Sequence, residues 1–198
     1  MQANKGGRFK KKIFFCLLAA ILFCSVTPAI CQSGNNLKPT IKDVLLTQCQ
    51  DELCINFRLS KGLTEKMERI LQSGIPVKYI FDISLKKKRL LWDDELKHIE
   101  LVRTIVLDNI RDEYILTFYY PSTRIITVSN IDDAKKFLLN IRQLRVIALD
   151  KLSKGQRYFI SIKAMARKGE ASMPFGRLIK MFSSFGFSTD TYEIEFQY

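Results

Sequence analysis

Histidine is nearly absent from this sequence, because His98 is the only one among 198 residues. A Ser-His-Asp triad would have to use it as the base, yet no G-x-S-x-G motif presents a serine. The spacing of an EF-hand and that of a paired-histidine zinc motif are also missing. We therefore predict no catalytic residue, no metal ligand and no cofactor.

Acidic residues surround this histidine in the segment WDDELKHIE. The side chains of Asp93, Asp94, Glu95 and His98 could be placed around a hard cation. We favour a solvated acidic turn, because charged surface clusters are common and paired metal ligands are not. Paired carboxylates that cleave glycosides cannot be recognised from sequence, because their separation is a property of the fold. A hydrolase that uses loop carboxylates therefore stays an alternative.

Glycine-rich loops are missing too, because the nine glycines are dispersed and form no phosphate-binding loop. The 32 lysines and arginines outnumber the 20 acidic residues, which gives a formal net charge of +12. These basic residues are scattered, unlike the basic patch of a nucleic-acid-binding protein. The excess charge is compatible with weak attraction to an anionic lipid or polymer, and we predict no nucleic-acid partner.

The first 31 residues have the pattern of a secretory signal peptide. The basic segment MQANKGGRFKKK is followed by fourteen uncharged residues, IFFCLLAAILFCSV, and then by TPAICQ. As a helix the apolar segment spans about 21 Å, which is shorter than the hydrocarbon core of roughly 30 Å. An uncleaved anchor is the alternative, because the uncharged run extends over 13–36. In both cases we expect the rest of the chain in the periplasm or on the periplasmic face of the inner membrane.

Hydrophobic residues alternate with polar ones along most of the chain that follows the polar leader 32–38. This period of two marks strands with one buried and one exposed face, which is typical of antiparallel sheets. We expect one domain over 39–198 that is mainly β, an antiparallel two-sheet sandwich of about nine strands. The predicted strands cover 41–47, 54–59, 77–85, 101–107, 113–120, 124–128, 145–149, 157–164 and 191–198.

Three short helices interrupt the predicted strands. Thr64 is the expected N-cap of the helix in LTEKMERILQSGIP, and Ser129 is the expected capping residue in SNIDDAKKFLLNI. The third segment, SMPFGRLIKMF, has Pro174 in its first turn. Each helix carries one apolar stripe, so we expect the helices to cover the ends or the edge of the sandwich.

Two cysteines flank the short segment QDEL, and the other three lie in residues 1–31. If the chain turns around Asp51 and Glu52, Cys49 lies directly opposite Cys54 on adjacent strands. Opposite Cα atoms are then about 4.5 Å apart, at the short end of disulfide geometry. A redox pair would more typically be Cys-x-x-Cys, and a metal site would need further ligands. We predict a structural disulfide between Cys49 and Cys54.

A basic run follows the strand VKYIFDISL. Lysines at a strand end commonly prevent pairing with another sheet edge, and this is the interpretation that we favour. The alternative is contact with phospholipid headgroups or an acidic partner. The only tryptophan follows the run, and a lone tryptophan beside acids is more often a half-buried anchor than a binding platform. The candidate interaction surface consists of Lys86, Lys87, Lys88, Arg89, Trp92 and Asp93.

The order of these motifs resembles the exported proteobacterial family known only as domain of unknown function 4390. The resemblance rests on SGIPV and its following strand, on the segment KKRLLWDD, and on MPF after a long strand. The chain departs from the family at Phe185 and Phe187, where tryptophans are frequent, and in its cysteine pair. The resemblance implies an envelope protein of a Gram-negative bacterium with no established activity, and in some members an association with membrane sensor kinases.

Our leading hypothesis is a non-enzymatic periplasmic module for interaction or sensing. Its predicted partner is an envelope protein or the membrane surface, and an inner-membrane sensor kinase enters only by analogy with the family. The alternatives are the envelope hydrolase described above and a carrier of a lipid or another apolar ligand between the sheets.

Overall fold

A computed structural model describes residues 38–169 and 186–198 of the chain. Within these residues the chain forms ten β-strands, two α-helices and a short 3-10 helix. In this described part, no helix has the length and apolar character needed to cross a membrane. The predicted signal peptide and the predicted helix at Pro174 lie outside the described residues.

The strands and helices alternate in short groups along the chain. The helices are α1 (Glu65–Gln72) and α2 (Ile131–Leu139), and the 3-10 helix covers Leu149–Lys151. The strands are β1 (Thr40–Cys49), β2 (Glu52–Ser60), β3 (Val77–Lys87), β4 (Asp94–Asp108), β5 (Glu113–Phe118), β6 (Arg124–Val128), β7 (Asn140–Ala148), β8 (Arg157–Lys168), β9 (Phe187–Ser188) and β10 (Tyr192–Gln197).

Two antiparallel sheets form the sandwich, which confirms the predicted fold class. The smaller sheet has the strand order β1-β2-β7, and the larger one has the order β10-β8-β3-β4-β5-β6. Strand β9 pairs with β8 at Met165 and Ala166, beyond the stretch of β8 that pairs with β10. Each α-helix carries the chain from one sheet to the other, so neither forms a crossover between strands of the same sheet.

The hydrophobic core lies between the two sheets. Alternation along β3 and β4 buries the side chains that face inward, among them Phe81, Ile83 and Leu101. Phe81 meets Phe57 of the smaller sheet with the ring centroids 5.8 Å apart, in an edge-to-face arrangement. Side chains of both sheets therefore contact each other directly at this point.

The two helices begin at side-chain caps. Thr64 accepts a hydrogen bond from the backbone N of Met67 at 3.4 Å, which confirms the cap predicted for α1. For α2 the predicted cap is wrong by one residue, because Asn130 accepts from the backbone N of Asp133 at 2.8 Å. The helix begins at Ile131, so Ser129 lies one position too early for this bond.

The β1–β2 hairpin has a different register from the one that the cysteines suggested. Cys49 lies opposite Glu52 and Cys54 lies opposite Thr47, so the turn consists of Gln50 and Asp51. The prediction that the cysteines lie directly opposite each other is therefore wrong. Gln50 adopts a left-handed φ of 57°, which closes the turn one residue earlier than expected.

The disulfide forms across this shifted register. Cys49 and Cys54 are joined in the structure with their Cα atoms 5.8 Å apart, which is within the usual range. They are diagonal neighbours on one face of the hairpin, because residues two apart on a strand share a face. Cys54 is fully buried.

Candidate functional site

The predicted surface residues lie on the hairpin that joins β3 to β4. Lys86 and Lys87 are the last two residues of β3, and residues 88–93 form the loop before β4. We call Leu90, Leu91 and Trp92 the tip of this hairpin.

The lysines at the end of β3 do not protect a sheet edge. Strand β3 is an interior strand, paired with β4 on one side and with β8 on the other as far as Lys87. The interpretation that we favoured from sequence, protection against edge pairing, is therefore wrong. The positive charge at this position needs another explanation.

Hydrogen bonds to β8 and its preceding loop fix one side of the hairpin base. The backbone N of Lys88 donates to the carbonyl oxygen of Arg157 at 3.0 Å, and Gln156 Nε2 donates to the carbonyl of Lys88 at 3.0 Å. The Nζ of Lys88 lies 3.2 Å from a carboxylate oxygen of Glu195 on β10. The loop is thus held at Lys88 by neighbours on two strands.

The other side of the base is closed within the hairpin itself. Arg89 forms an ion pair with Asp94, and its backbone N donates to Oδ1 of Asp93 at 3.4 Å. Asp93 therefore shapes the loop. Ion pairs as exposed as this one contribute at most about 1 kcal/mol, so Arg89 stays available to a partner.

The tip is almost completely exposed to solvent. The side chains of Leu90, Leu91 and Trp92 have relative exposures of 102%, 82% and 80%. The expectation that Trp92 is a half-buried anchor is therefore wrong. Among the described residues, none forms a hydrogen bond with its indole. The apolar triplet between basic and acidic residues was the sequence signal that could have identified this exposed tip.

The acidic residues and His98 do not come together. Nδ1 of His98 lies 3.8 Å from Oδ1 of Asp82 on the neighbouring strand, whereas Asp94 is paired with Arg89. Over residues 38–169 and 186–198, no group of three or more His, Cys, Asp or Glu side chains could hold a metal ion.

Residues 38–195 match the family described as domain of unknown function (DUF4390). The chain belongs to this family. The match confirms the resemblance that the motifs SGIPV and KKRLLWDD indicated. No curated protein and no solved structure matches the chain. The hairpin tip lies inside the range of this DUF4390 member that matches the family.

Sequence reasoning missed one unusual residue of this DUF4390 domain, Arg103 on β4. Its neighbours at intervals of two, Leu101 and Ile105, face the core, and Arg103 is buried in the same row. Nη1 donates to the carbonyl oxygens of Phe137, Leu138 and Asn140 at 2.6, 3.0 and 3.0 Å. An arginine in an apolar register was the signal that could have identified it.

The guanidinium of Arg103 closes the C-terminal end of α2, where backbone carbonyls have no partner within the helix. Burial, and secondly the charge of Arg124, lower the pKa of Arg103 to about 10. The side chain is still charged at neutral pH. It therefore brings a positive charge into the space between the sheets.

Proposed function

We propose that this protein is a non-enzymatic interaction module of the cell envelope that docks on the periplasmic surface of a membrane through its hairpin tip. The exposure of Leu90, Leu91 and Trp92 supports this proposal most directly. Three adjacent large apolar side chains rarely stay in water without a partner, although single exposed ones are normal.

The physical gain from docking comes from burying the tip. Removing a leucine side chain from water contributes roughly 2 kcal/mol. Tryptophan is enriched at the level of the lipid headgroups, where its ring is apolar and its N–H stays hydrated. The base of the hairpin is already held by Lys88 and Arg89, so little ordering is required on binding.

Charge around the tip adds less than the apolar side chains do. Four basic residues (86–89) precede the tip and three acidic residues (93–95) follow it. The acidic residues offset most of the positive charge, whereas each uncompensated lysine near an anionic membrane contributes about 1 kcal/mol. We therefore expect binding to neutral bilayers and a modest preference for anionic ones.

The predicted compartment supports a membrane as the partner. The pattern of residues 1–31 predicts export, and an exported chain meets the inner membrane during and after its translocation. A disulfide between Cys49 and Cys54 fits an oxidising compartment such as the periplasm. The inner-membrane sensor kinase stays a prediction by family analogy.

Trp92 makes the proposal directly testable, because it is the only tryptophan in the chain. We expect its fluorescence to shift to shorter wavelength when the full chain is mixed with phosphatidylcholine vesicles. Brominated lipid should quench the emission, and phosphatidylglycerol should enhance both effects. Insertion of the N-terminal segment alone leaves Trp92 in water and does not change its emission.

A pair of matched variants makes the test specific. Leu90→Ser/Leu91→Ser keeps the fluorophore but removes apolar surface, so the blue shift should be lost. Ile110→Ser/Ile125→Ser removes two exposed isoleucines elsewhere, 96% and 63% exposed, and should leave the shift intact. Unchanged Trp92 emission with every vesicle would reject membrane docking, and a protein partner would then be the explanation to test.

The hydrolase and lipid-carrier alternatives stay predictions. Turnover of esterase, glycosidase or peptidase substrates that is lost on His98→Ala would contradict the non-enzymatic role. A lipid that copurifies with the chain and survives the Leu90→Ser/Leu91→Ser change would favour the carrier.

A further inference from the structure

We propose that a basic pocket at the side of the sandwich binds the phosphate group of a small organic phosphate. The pocket has a volume of about 690 Å³, which suits a small molecule. It lies apart from the hairpin tip and goes beyond the docking function. We call it the arginine pocket, and its main lining residues are Arg103, Arg124, Arg142, Phe118, Tyr120 and Phe137.

Strand register builds one wall of the arginine pocket. Phe118 on β5 lies directly opposite Arg103 on β4 and directly opposite Arg124 on β6. The guanidinium carbons lie 5.1 Å and 5.3 Å from the centre of the Phe118 ring. Two arginines therefore share one aromatic ring on a single face of the sheet, which fixes the position of both charges.

A β-bulge in the other sheet supplies the third arginine. Ile55 pairs with Leu144 and Phe57 pairs with Ile141, so β7 contains one more residue than β2 at this point. Gln143 has a φ of 50°, and its backbone N donates to Oδ1 of Asn56 at 2.8 Å. Bulges redirect side chains, and this one lies beside Arg142, which lines the pocket.

In the described part of the chain, the charges of the arginine pocket are not neutralised by carboxylates. Among the described residues, none of the three arginines forms an ion pair with a carboxylate. Asp133, a carboxylate that lines the pocket, is bound to Lys136 at 2.8 Å and to the side-chain amide of Asn130 at 2.8 Å. An anion would relieve the repulsion between the arginines.

The helix-capping role of Arg103 does not account for its whole side chain. Nη1 makes all three bonds to the carbonyls of α2. The residue is only 9% exposed, and its Nε has no hydrogen-bond partner in the described structure. In the described residues no hydrogen bond of Nη2 is found either, so the guanidinium keeps donor capacity beyond its bonds to α2.

The chemistry of the lining selects the class of ligand. Guanidinium groups bind phosphate oxygens through paired hydrogen bonds, and several of them suit a doubly charged phosphate monoester. The rings of Phe118, Tyr120 and Phe137 offer an apolar surface to the organic part. A soluble ester and a lipid phosphate share this chemistry.

Calorimetry on the full chain in nonionic detergent tests the proposal with three probes. We expect phenyl phosphate to bind more tightly than inorganic phosphate, because only phenyl phosphate uses the aromatic wall. Dihexanoyl phosphatidic acid, used as a monomer, forms the lipid arm. Tighter binding of this probe would assign the ligand to lipid, and tighter binding of phenyl phosphate would assign it to a soluble ester.

Exposed arginines are the informative ones to change, because Arg103 also supports the fold. Arg124→Ala/Arg142→Ala should weaken phenyl phosphate binding by about 100-fold, since two charge-assisted hydrogen-bonding groups are lost. Arg111→Ala/Lys154→Ala removes the same charge from two exposed turns and should change the affinity less than twofold. No binding of any probe, or equal weakening in both variants, would overturn the proposal.

Discussion

The hairpin tip joins β3 to β4, and Arg103 lies on β4. Both depart from the usual pattern of apolar side chains inside and charged side chains outside, but in opposite directions. At the tip, Leu90, Leu91 and Trp92 are in solvent, whereas Arg103 is buried in a row of core residues. Arg103 has three carbonyl partners, whereas the tip side chains have no hydrogen-bond partner among the described residues. A buried polar residue with internal partners contributes to stability, whereas a contiguous cluster of exposed apolar side chains indicates an external partner.

The largest expected effect on the free energy of unfolding is that of changing Arg103, the buried residue of this comparison. Arg103→Ala leaves the carbonyls at the end of α2 without their donor and removes a side chain from the core. We expect the free energy of unfolding to fall by about 3 kcal/mol, measured by urea denaturation. A loss below about 1 kcal/mol would contradict the capping role of Arg103.

The β1–β2 hairpin provides an intermediate case, because a covalent bond closes it. Cys49→Ser/Cys54→Ser should lower the free energy of unfolding by about 2 kcal/mol, from the entropy of a six-residue loop. Urea denaturation of the oxidised chain with and without reductant checks this value. An unchanged midpoint after reduction would mean that the turn at Gln50 and Asp51 already fixes the hairpin.

A smaller effect is expected at the N-terminal turn of α2. Hydrogen bonds from Lys136 and then Asn130 hold the pKa of Asp133 below its usual value of 3.8. Because the folded pKa is lowered, this stabilisation is complete above the unfolded pKa and is lost as the pH falls through the folded one. Asp133→Asn should therefore reduce the loss of stability between about pH 5 and pH 2, measured by urea denaturation at each pH. Parallel curves for the two chains would contradict this role of Asp133.

The smallest effect on stability is expected at the tip. Leu90→Ser/Leu91→Ser/Trp92→Ser should change the free energy of unfolding by less than about 0.5 kcal/mol, because these side chains are at least 80% exposed and lose little packing. Far-ultraviolet circular dichroism during urea denaturation measures it without the tryptophan. A loss above about 1.5 kcal/mol would show that the tip packs against the protein and would remove the contrast with Arg103.

Alternation predicted the fold well where one face of a strand is buried. Strand β6 has the predicted limits of 124–128, and β3 extends only two residues beyond the predicted 77–85. Residues 94–100 at the beginning of β4 were missed, because the polar sequence of 94–98 carries no buried side chain and hides the start of the strand. Strand β9 has two residues, too few for a period of two.

The candidate site was predicted less completely than the fold. The sequence grouped Lys86 to Asp93 after the strand 77–85, and the structure places them on the β3–β4 hairpin. The interpretation of the basic run as edge protection depended on whether β3 is an edge strand. Whether β3 is an edge strand depends on its pairing with β8, for example between Val77 and Lys168, which are far apart in sequence. The arginine pocket also depends on distant residues, because Arg103, Arg124 and Arg142 meet only after both sheets have formed.

The strand order also affects the rate of folding, because neither sheet is complete until distant segments of the chain have paired. Each sheet contains a ladder between distant segments, in which Glu52 pairs with Ala148 in the smaller sheet and Val77 pairs with Lys168 in the larger one. The chain loses the entropy of closing such long loops before the new contacts contribute free energy. Folding should therefore be slow for a domain of this size. A chain that is synthesised from its N-terminus exposes β2 until β7 follows. The interval between them is when this protein would depend most on chaperones that prevent aggregation.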